Sequence, residues 1–160
     1  KLVKKIANSL EKIQLKMGVF FLSLFFFVIV LQMVVRYIGI SLIWTEEVST
    51  YSFIWAVFMG ASVMIHRRGH FRFSLLYEKL TGKSKRFLEM FIDSILLFFS
   101  LAVLYYGIIA TLNFWNYNWY SLTNFKMGYM FISIPFMGLS MFIYGLDHLV
   151  DNYKELRRSE

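Results

Sequence analysis

Four long apolar runs constrain this 160-residue sequence more than any other feature. They cover residues 17–35, 48–65, 90–112 and 127–146, and a membrane-spanning helix needs roughly 20 consecutive, mostly apolar residues. The bilayer core contains no water, so each run must satisfy its own backbone hydrogen bonds as a helix. The runs do not alternate between apolar and polar residues, as the strands of a transmembrane barrel would. We predict an all-α integral membrane protein with four transmembrane helices.

The composition excludes other classes of protein. Hydrophobic residues make up 58% of the chain, 18 residues are phenylalanine, and charged residues contribute only 17%. A soluble domain of this size could not bury so much apolar surface, and a disordered chain would be far more polar. Because the chain has no cysteine, disulfides and thiolate metal sites are excluded. We predict a single membrane domain over residues 1–160.

The distribution of basic residues predicts the orientation of the four spans. Fifteen of the 17 Lys and Arg residues lie in the N-terminal segment, the second loop and the C-terminal tail. The other two, Arg36 and Lys126, lie in the first and third loops. Since cytoplasmic loops carry the excess of positive charge, both termini and the second loop are predicted to be cytoplasmic. The net charge of +7 therefore reflects membrane topology and does not indicate a nucleic-acid partner.

Three segments outside the spans have a recognisable character. Residues 1–16 have apolar side chains at helical spacing among lysines, which predicts an amphipathic helix that either lies on the membrane surface or extends the first span. Residues 70–80 are too short to span and too apolar for a solvated loop, so we predict a short interfacial helix. The third loop, residues 113–125, is rich in aromatic rings, including Trp115 and Trp119. Such rings form an aromatic belt at the membrane boundary or a surface for a partner.

The sequence gives no sign of catalysis or of a cofactor. The first two spans contain no ionisable residue, whereas an ion or proton path through a membrane usually leaves such residues inside the spans. Asp93 lies about one turn inside the third span, which favours an ion-paired or snorkelling side chain at the membrane boundary. His66, His70 and His148 lie at span ends, away from the positions of axial haem ligands inside a bundle. We predict no catalytic residue, no metal and no cofactor, and therefore no enzyme.

The acidic start of the second span is the most informative polar cluster. Thr45 is a plausible N-cap, and Glu46 and Glu47 would then lie in the first turn, where carboxylates complement the helix dipole. Arg36 stands at the same side of the membrane, at the end of the preceding span. An arginine near two carboxylates favours a charge-assisted hydrogen bond. The sequence therefore predicts a clamp between Arg36 and Glu46 or Glu47.

The order of these motifs resembles a known transporter family. It runs from Arg36–Tyr37 at the end of the first span through Trp44–Glu47 at the start of the second to Gly60 within it. Arg68–His70 follows the second span, and Pro135 lies in the fourth. This pattern is similar to that of the small membrane subunit, of DctQ or SiaQ type, of tripartite ATP-independent periplasmic (TRAP) transporters. The resemblance covers nearly the whole chain in number of spans, orientation and motif order.

The resemblance implies a scaffold subunit in a bacterial inner membrane. A large subunit of DctM or SiaM type would carry the substrate and sodium sites, and a soluble periplasmic binding protein would deliver an organic acid such as a C4-dicarboxylate or a sialic acid. This chain would brace the static part of the large subunit among the membrane lipids. The implied subunit or scaffold contacts are Arg36, Trp44, Glu46, Glu47, Arg68 and His70, and Trp115 and Trp119 are weaker candidates for contact with the binding protein.

Two other functions stay open at this point. An independent small transporter acting as a homo-oligomer predicts uptake by this chain alone. A membrane-anchor subunit of a redox enzyme predicts a bound haem or quinone. The absence of charge in the first two spans disfavours the former, and the histidine positions disfavour the latter.

Overall fold

The computed structural model of the protein describes residues 2–67 and 83–158. These residues form helices joined by short connections, with one isolated antiparallel bridge between Asn118 and Lys126. The predicted interfacial helix at residues 70–80 lies outside the described residues. In chain order the helices are α1 (Leu2–Tyr37), α2 (Trp44–His66), α3 (Lys83–Phe114), α4 (Gly128–Phe131) and α5 (Ser133–Arg158).

Within the described residues, four helical stretches are long and apolar enough to cross a membrane. They are Val3–Tyr37, Trp44–His66, Phe87–Phe114 and Gly128–Lys154. The first three contain the apolar runs 17–35, 48–65 and 90–112, and the fourth contains the run 127–146 except for its first residue. The predicted all-α membrane architecture is therefore confirmed.

The helix α1 is continuous from Leu2 to Tyr37, with no break between the predicted amphipathic segment and the first span. Its 36 residues extend about 54 Å at 1.5 Å per residue, well beyond the roughly 30 Å of a hydrocarbon core. The N-terminal part packs against α5, with Ala7 and Gln14 fully buried. Ile6 and Ile13, which the sequence pattern places on the apolar face, are exposed. The N-terminal segment is thus an extension of the first span.

The fourth span is divided into a short helix and a long one. Ile132 separates α4 from α5, and Pro135 lies in the first turn of α5. Proline has no backbone N–H, so it cannot donate the helical hydrogen bond to the carbonyl of Phe131, and it is well tolerated in a first turn. The proline therefore explains why the helix restarts here.

The helices pack as two pairs joined in the middle. The helices α1 and α2 form one pair, α3 and α5 form the other, and α2 packs against α5. The pair of α3 and α5 is held close by two glycines. A Cβ atom on Gly138 would lie 2.6 Å from the backbone nitrogen of Leu104, and one on Gly107 would lie 2.9 Å from the nitrogen of Pro135. Small residues at such crossings let the backbones of membrane helices approach each other.

The two outer helices, α1 and α3, expose long apolar faces. Phe27 on α1 is 67% exposed and Phe98 on α3 is 78% exposed, and many other large apolar side chains on both helices are also uncovered. Such continuous apolar surface is incompatible with water and indicates contact with lipid or with another membrane protein.

Candidate functional site

The turn between α1 and α2 is built around Gly39. This residue has φ of +80°, a left-handed conformation that glycine adopts without steric cost. The amide of Ile40 donates to the carbonyl of Val35 over 2.9 Å, and the amide of Gly39 donates to that of Arg36 over 3.1 Å. These two bonds form a Schellman motif that satisfies the last carbonyls of α1. The motif ends α1 immediately after Arg36 and Tyr37.

The start of α2 differs from the predicted N-cap. The helix begins at Trp44, and Thr45 lies inside its first turn with a fully buried side chain. The Thr45 hydroxyl donates to the carbonyl of Leu42 over 2.5 Å, and the N-cap residue is Ile43, whose side chain makes no capping hydrogen bond. Glu46 and Glu47 do lie in the first turn, as predicted.

Glu47 binds the third loop and not Arg36. Its carboxylate accepts hydrogen bonds from the amide of Tyr120 over 2.6 Å and from the amide of Ser121 over 2.8 Å. It also accepts a short hydrogen bond from the Ser121 hydroxyl. Among the described residues, no ion pair within 4 Å joins Arg36 to Glu46 or Glu47. The predicted arginine clamp is not formed, and the carboxylate instead fastens the loop of residues 115–127 to α2.

The third loop is held in shape by hydrogen bonds between its own backbone groups. The amide of Trp119 donates to the carbonyl of Phe125 over 2.9 Å, and the amide of Met127 donates to that of Tyr117 over 2.7 Å. The indole of Trp119 lies edge-on to Tyr51 of α2, with ring centroids 4.6 Å apart, and donates to the carbonyl of Lys126. The loop is therefore held to α2 by an aromatic contact as well as by Glu47.

The two predicted contact residues for a binding protein are half-buried in this loop. Trp115 lies against Gly128, where a Cβ atom would come within 2.4 Å of its ring, and Trp119 packs on Tyr51. The most exposed ring of the loop is that of Tyr120, at 86%, and Tyr117 is also exposed. The tyrosines offer more surface to a partner than the tryptophans do.

The opposite end of the bundle contains a hydrogen-bonded polar cluster that sequence reasoning missed. The hydroxyl of Tyr144 donates to Oε1 of Gln14 over 2.6 Å, and Nε2 of Gln14 donates to the Ser140 hydroxyl over 2.7 Å. All three side chains are fully buried. This cluster joins the N-terminal half of α1 to the middle of α5.

Two histidines and an aspartate extend the polar cluster to α2 and α3. Nε2 of His148 lies 2.9 Å from the carbonyl of His66, and since a carbonyl only accepts, this nitrogen carries the proton. Nδ1 of the same ring lies 3.7 Å from Oδ1 of Asp93, and Asn152 donates to the other Asp93 oxygen over 2.8 Å. Asp93 is only 5% exposed, so its side chain points into the protein toward His148 and Asn152 and does not snorkel outward, which was one of the two predicted alternatives.

Two ion pairs close the same end of the bundle. Arg67 contacts Glu11 over 2.6 Å, and Lys4 contacts Asp151 over 3.0 Å. The ring of His66 also lies between Tyr144, at 4.5 Å between centroids, and His148, at 6.1 Å. All four long helices thus meet in one network. Within the described residues, no three His, Asp or Glu side chains are grouped to hold a metal ion.

Comparison with protein-family models identifies the class of protein to which this chain belongs. The family model described as "Tripartite ATP-independent periplasmic transporters, DctQ component" matches residues 25–155. The chain belongs to the DctQ family. Its members are transporter components and not enzymes, which confirms the resemblance drawn from the motif order.

A curated relative supports the same conclusion. The isethionate TRAP transporter permease protein DctMQ of Oleidesulfovibrio alaskensis is 28% identical to this DctQ chain over 86 residues. The aligned part covers 49% of this chain and 14% of the relative. The chain therefore matches only a small part of that permease.

The sequence-predicted residues that the structure describes lie at one end of the bundle of this DctQ chain. Arg36, Trp44, Glu46 and Glu47 gather where α1 ends and α2 begins. Arg68 and His70 lie outside the described residues. The missed residues are Gln14, Tyr144 and His148; the signal that could have found Gln14 is its spacing of seven from Ala7, which places both on one face of α1.

Removing the negative charge of Glu47 is expected to loosen the third loop. In Glu47→Gln a single carboxamide oxygen replaces two carboxylate oxygens, so at least one of the three donors on Tyr120 and Ser121 loses its acceptor. We expect amide hydrogen exchange at Tyr120 and Ser121 to accelerate about tenfold. Glu46→Gln is the matched control, because Glu46 makes no such bonds to the loop. Unchanged exchange in Glu47→Gln would contradict this role.

Proposed function

We propose that this DctQ chain is the small scaffold subunit of a sodium-coupled TRAP transporter that imports an organic acid. The proposal rests on one contrast: hydrogen bonds and ring contacts hold both ends of the helix bundle together, whereas the apolar faces of α1 and α3 are exposed. Glu47 and Trp119 fasten one end of the bundle, and the cluster around Gln14, Tyr144 and His148 fastens the other. A chain braced in this way is suited to remain still while a partner moves.

The uncovered faces of α1 and α3 support a large membrane partner of DctM type. The name of the curated relative joins DctM and DctQ in one permease, which supports an intimate association of the two components. Phe27, Phe98 and their neighbours supply apolar surface for such an association. Side chains of this kind pack well against another helical protein within the bilayer.

The transported substrate is proposed to be a small organic anion delivered by a soluble periplasmic binding protein. The C4-dicarboxylate and sialic acid classes implied by the sequence are both carboxylates, and the relative named for isethionate adds a sulfonate to the same anionic class. Tyr117 and Tyr120 at the third loop would contribute to the surface that the binding protein approaches.

Co-purification tests the assembly directly. The tagged chain is expressed with a DctM-type large subunit from the same organism, extracted in a mild detergent and analysed by size-exclusion chromatography with mass spectrometry. We expect the two proteins to elute together as a complex. A chain that elutes only as a homo-oligomer under these conditions would instead favour the independent transporter.

The proposed orientation, with both termini in the cytoplasm of a bacterial inner membrane, makes a separate prediction. The natural chain has no cysteine, so single cysteines report their own accessibility. In intact spheroplasts Ser41→Cys, in the turn after α1, is expected to react with a membrane-impermeant maleimide. Ser84→Cys, at the start of α3, is expected to react only after the membrane is opened. The reverse pattern would contradict the orientation.

A further inference from the structure

A groove between the end of α1 and the start of α2 has no role in the proposed function. It has a volume of about 480 Å³ and opens to the surface. We call it the α1–α2 groove. Its lining includes Phe25, Ile29, Gln32, Arg36, Glu46 and Thr50.

The mouth of the α1–α2 groove carries one positive and one negative side chain. Arg36 and Glu46 both line the groove and both are exposed. Within the part of the chain that the structure describes, no ion pair within 4 Å joins either of them to a partner. The neighbouring Glu47 is directed to the third loop. The lining of the groove therefore includes both a cation and an anion, with the Gln32 amide as an additional donor and acceptor.

The depth of the groove matches one leaflet of a membrane. The α1 side runs from Arg36 at the helix end to Phe25, eleven residues earlier, which corresponds to about 16 Å along a helix. Half of a hydrocarbon core is about 15 Å. Of the lining residues on α1, Phe25 and Ile29 lie within the predicted span 17–35, and Arg36 lies just beyond its end. A phospholipid has the same order of apolar chain and polar head.

We propose that the α1–α2 groove binds one phosphatidylethanolamine molecule, a phospholipid whose headgroup carries a phosphate and a primary ammonium. Arg36 donates hydrogen bonds to the phosphate, Glu46 accepts them from the ammonium, and an acyl chain lies along Phe25 and Ile29. Arginine is well suited to phosphate recognition because its guanidinium presents several donors in a fixed plane.

The pair of charges selects this headgroup over others. The glycerol headgroup of phosphatidylglycerol has no cation, so its phosphate would satisfy Arg36 but leave Glu46 without a partner. The quaternary ammonium of phosphatidylcholine has no N–H and cannot donate a hydrogen bond to Glu46. A hydrogen bond between charged groups raises affinity by about tenfold or more, and neither of these headgroups can form one with Glu46. Only the primary ammonium satisfies both side chains.

Lipid retention measured by native mass spectrometry tests the proposal. The full chain is reconstituted in nanodiscs that contain equal parts of dioleoyl phosphatidylethanolamine, phosphatidylglycerol and phosphatidylcholine, and is then released in the gas phase. We expect phosphatidylethanolamine to be retained about tenfold more than either competitor, because one additional charge-assisted hydrogen bond raises affinity by about that factor. Equal retention of the three lipids would overturn the proposal.

Four variants separate the contributions of Arg36, Glu46 and the apolar lining of the groove to lipid retention. Arg36→Gln is expected to lower retention of phosphatidylethanolamine about tenfold, and Glu46→Gln to abolish its advantage over phosphatidylglycerol. Ile29→Trp fills the groove without changing a charge and is expected to reduce retention of all three lipids. Lys126→Gln, which removes an exposed cation outside the groove, is the matched control and is expected to leave retention unchanged.

Two results would overturn the proposal even with well-folded variants, as judged by helix content from circular dichroism. One is unchanged phosphatidylethanolamine retention in both Arg36→Gln and Ile29→Trp. The other is loss of the lipid when the large subunit is bound, which would assign the groove to a segment of that protein. The measurement on the isolated chain does not depend on transport, so its failure is distinguishable from failure of the proposed function.

Discussion

Replacing Gly138 with alanine is expected to lower the free energy of unfolding by about 3 kcal/mol, at the upper end of the cost of overpacking. The added methyl group would lie 2.6 Å from the backbone nitrogen of Leu104 and 2.9 Å from its Cα. Backbone atoms cannot move aside as a side chain can, so α3 and α5 would have to separate. Unfolding in mixed detergent micelles, followed by circular dichroism, measures the loss.

Gly60→Ala is the matched control for this prediction. Gly60 is also a glycine within a membrane helix, but a Cβ atom there would meet no atom within 4 Å. Since alanine favours a helix over glycine by roughly 0.5–1 kcal/mol, we expect Gly60→Ala to be neutral or slightly stabilising. Equal effects of the two substitutions would contradict the close approach of α3 and α5 at Gly138.

Replacing Gln14 with leucine is expected to destabilise the chain by about 2 kcal/mol, because it leaves the buried Tyr144 hydroxyl without its acceptor. The two residues are hydrogen-bonded over 2.6 Å and both are fully buried. The double variant with Tyr144→Phe removes both partners and should recover most of that loss. The same unfolding measurement on the two single variants and the double variant gives the coupling energy.

Gln32→Leu provides the control for the Gln14 prediction. Gln32 lies on the same helix but lines the α1–α2 groove, so its replacement should change the unfolding free energy by no more than about 0.5 kcal/mol. A double variant that loses as much stability as the sum of the single ones would show that Gln14 and Tyr144 act independently. That result would contradict the hydrogen-bonded link between α1 and α5.

The spans could be predicted from the sequence because each depends only on its own composition. An uncharged run such as 48–65 has no alternative to a transmembrane helix, and the structure places α2 there. The acids of its first turn, Glu46 and Glu47, were also recognisable locally. Features that depend on about 20 consecutive residues were therefore accessible without a structure.

The partners of the polar residues were not accessible in this way. Gln14 meets Ser140 across 126 residues of sequence, and Glu47 meets Ser121 across 74. Sequence reasoning instead paired Arg36 with Glu46 or Glu47, the nearby opposite charges, because proximity along the chain was the only guide. The choice between a surface helix and an extension of the first span was left open for the same reason, since the burial of Ala7 and Gln14 depends on α5.

Uptake by reconstituted proteoliposomes tests the proposed role most directly. One set of vesicles contains this chain alone, and another contains it with the large subunit, both with the soluble binding protein and a radiolabelled organic anion under an inward sodium gradient. We expect uptake only in the second set, because the small subunit is a static brace. Sodium-driven uptake by vesicles that contain this chain alone would contradict that role.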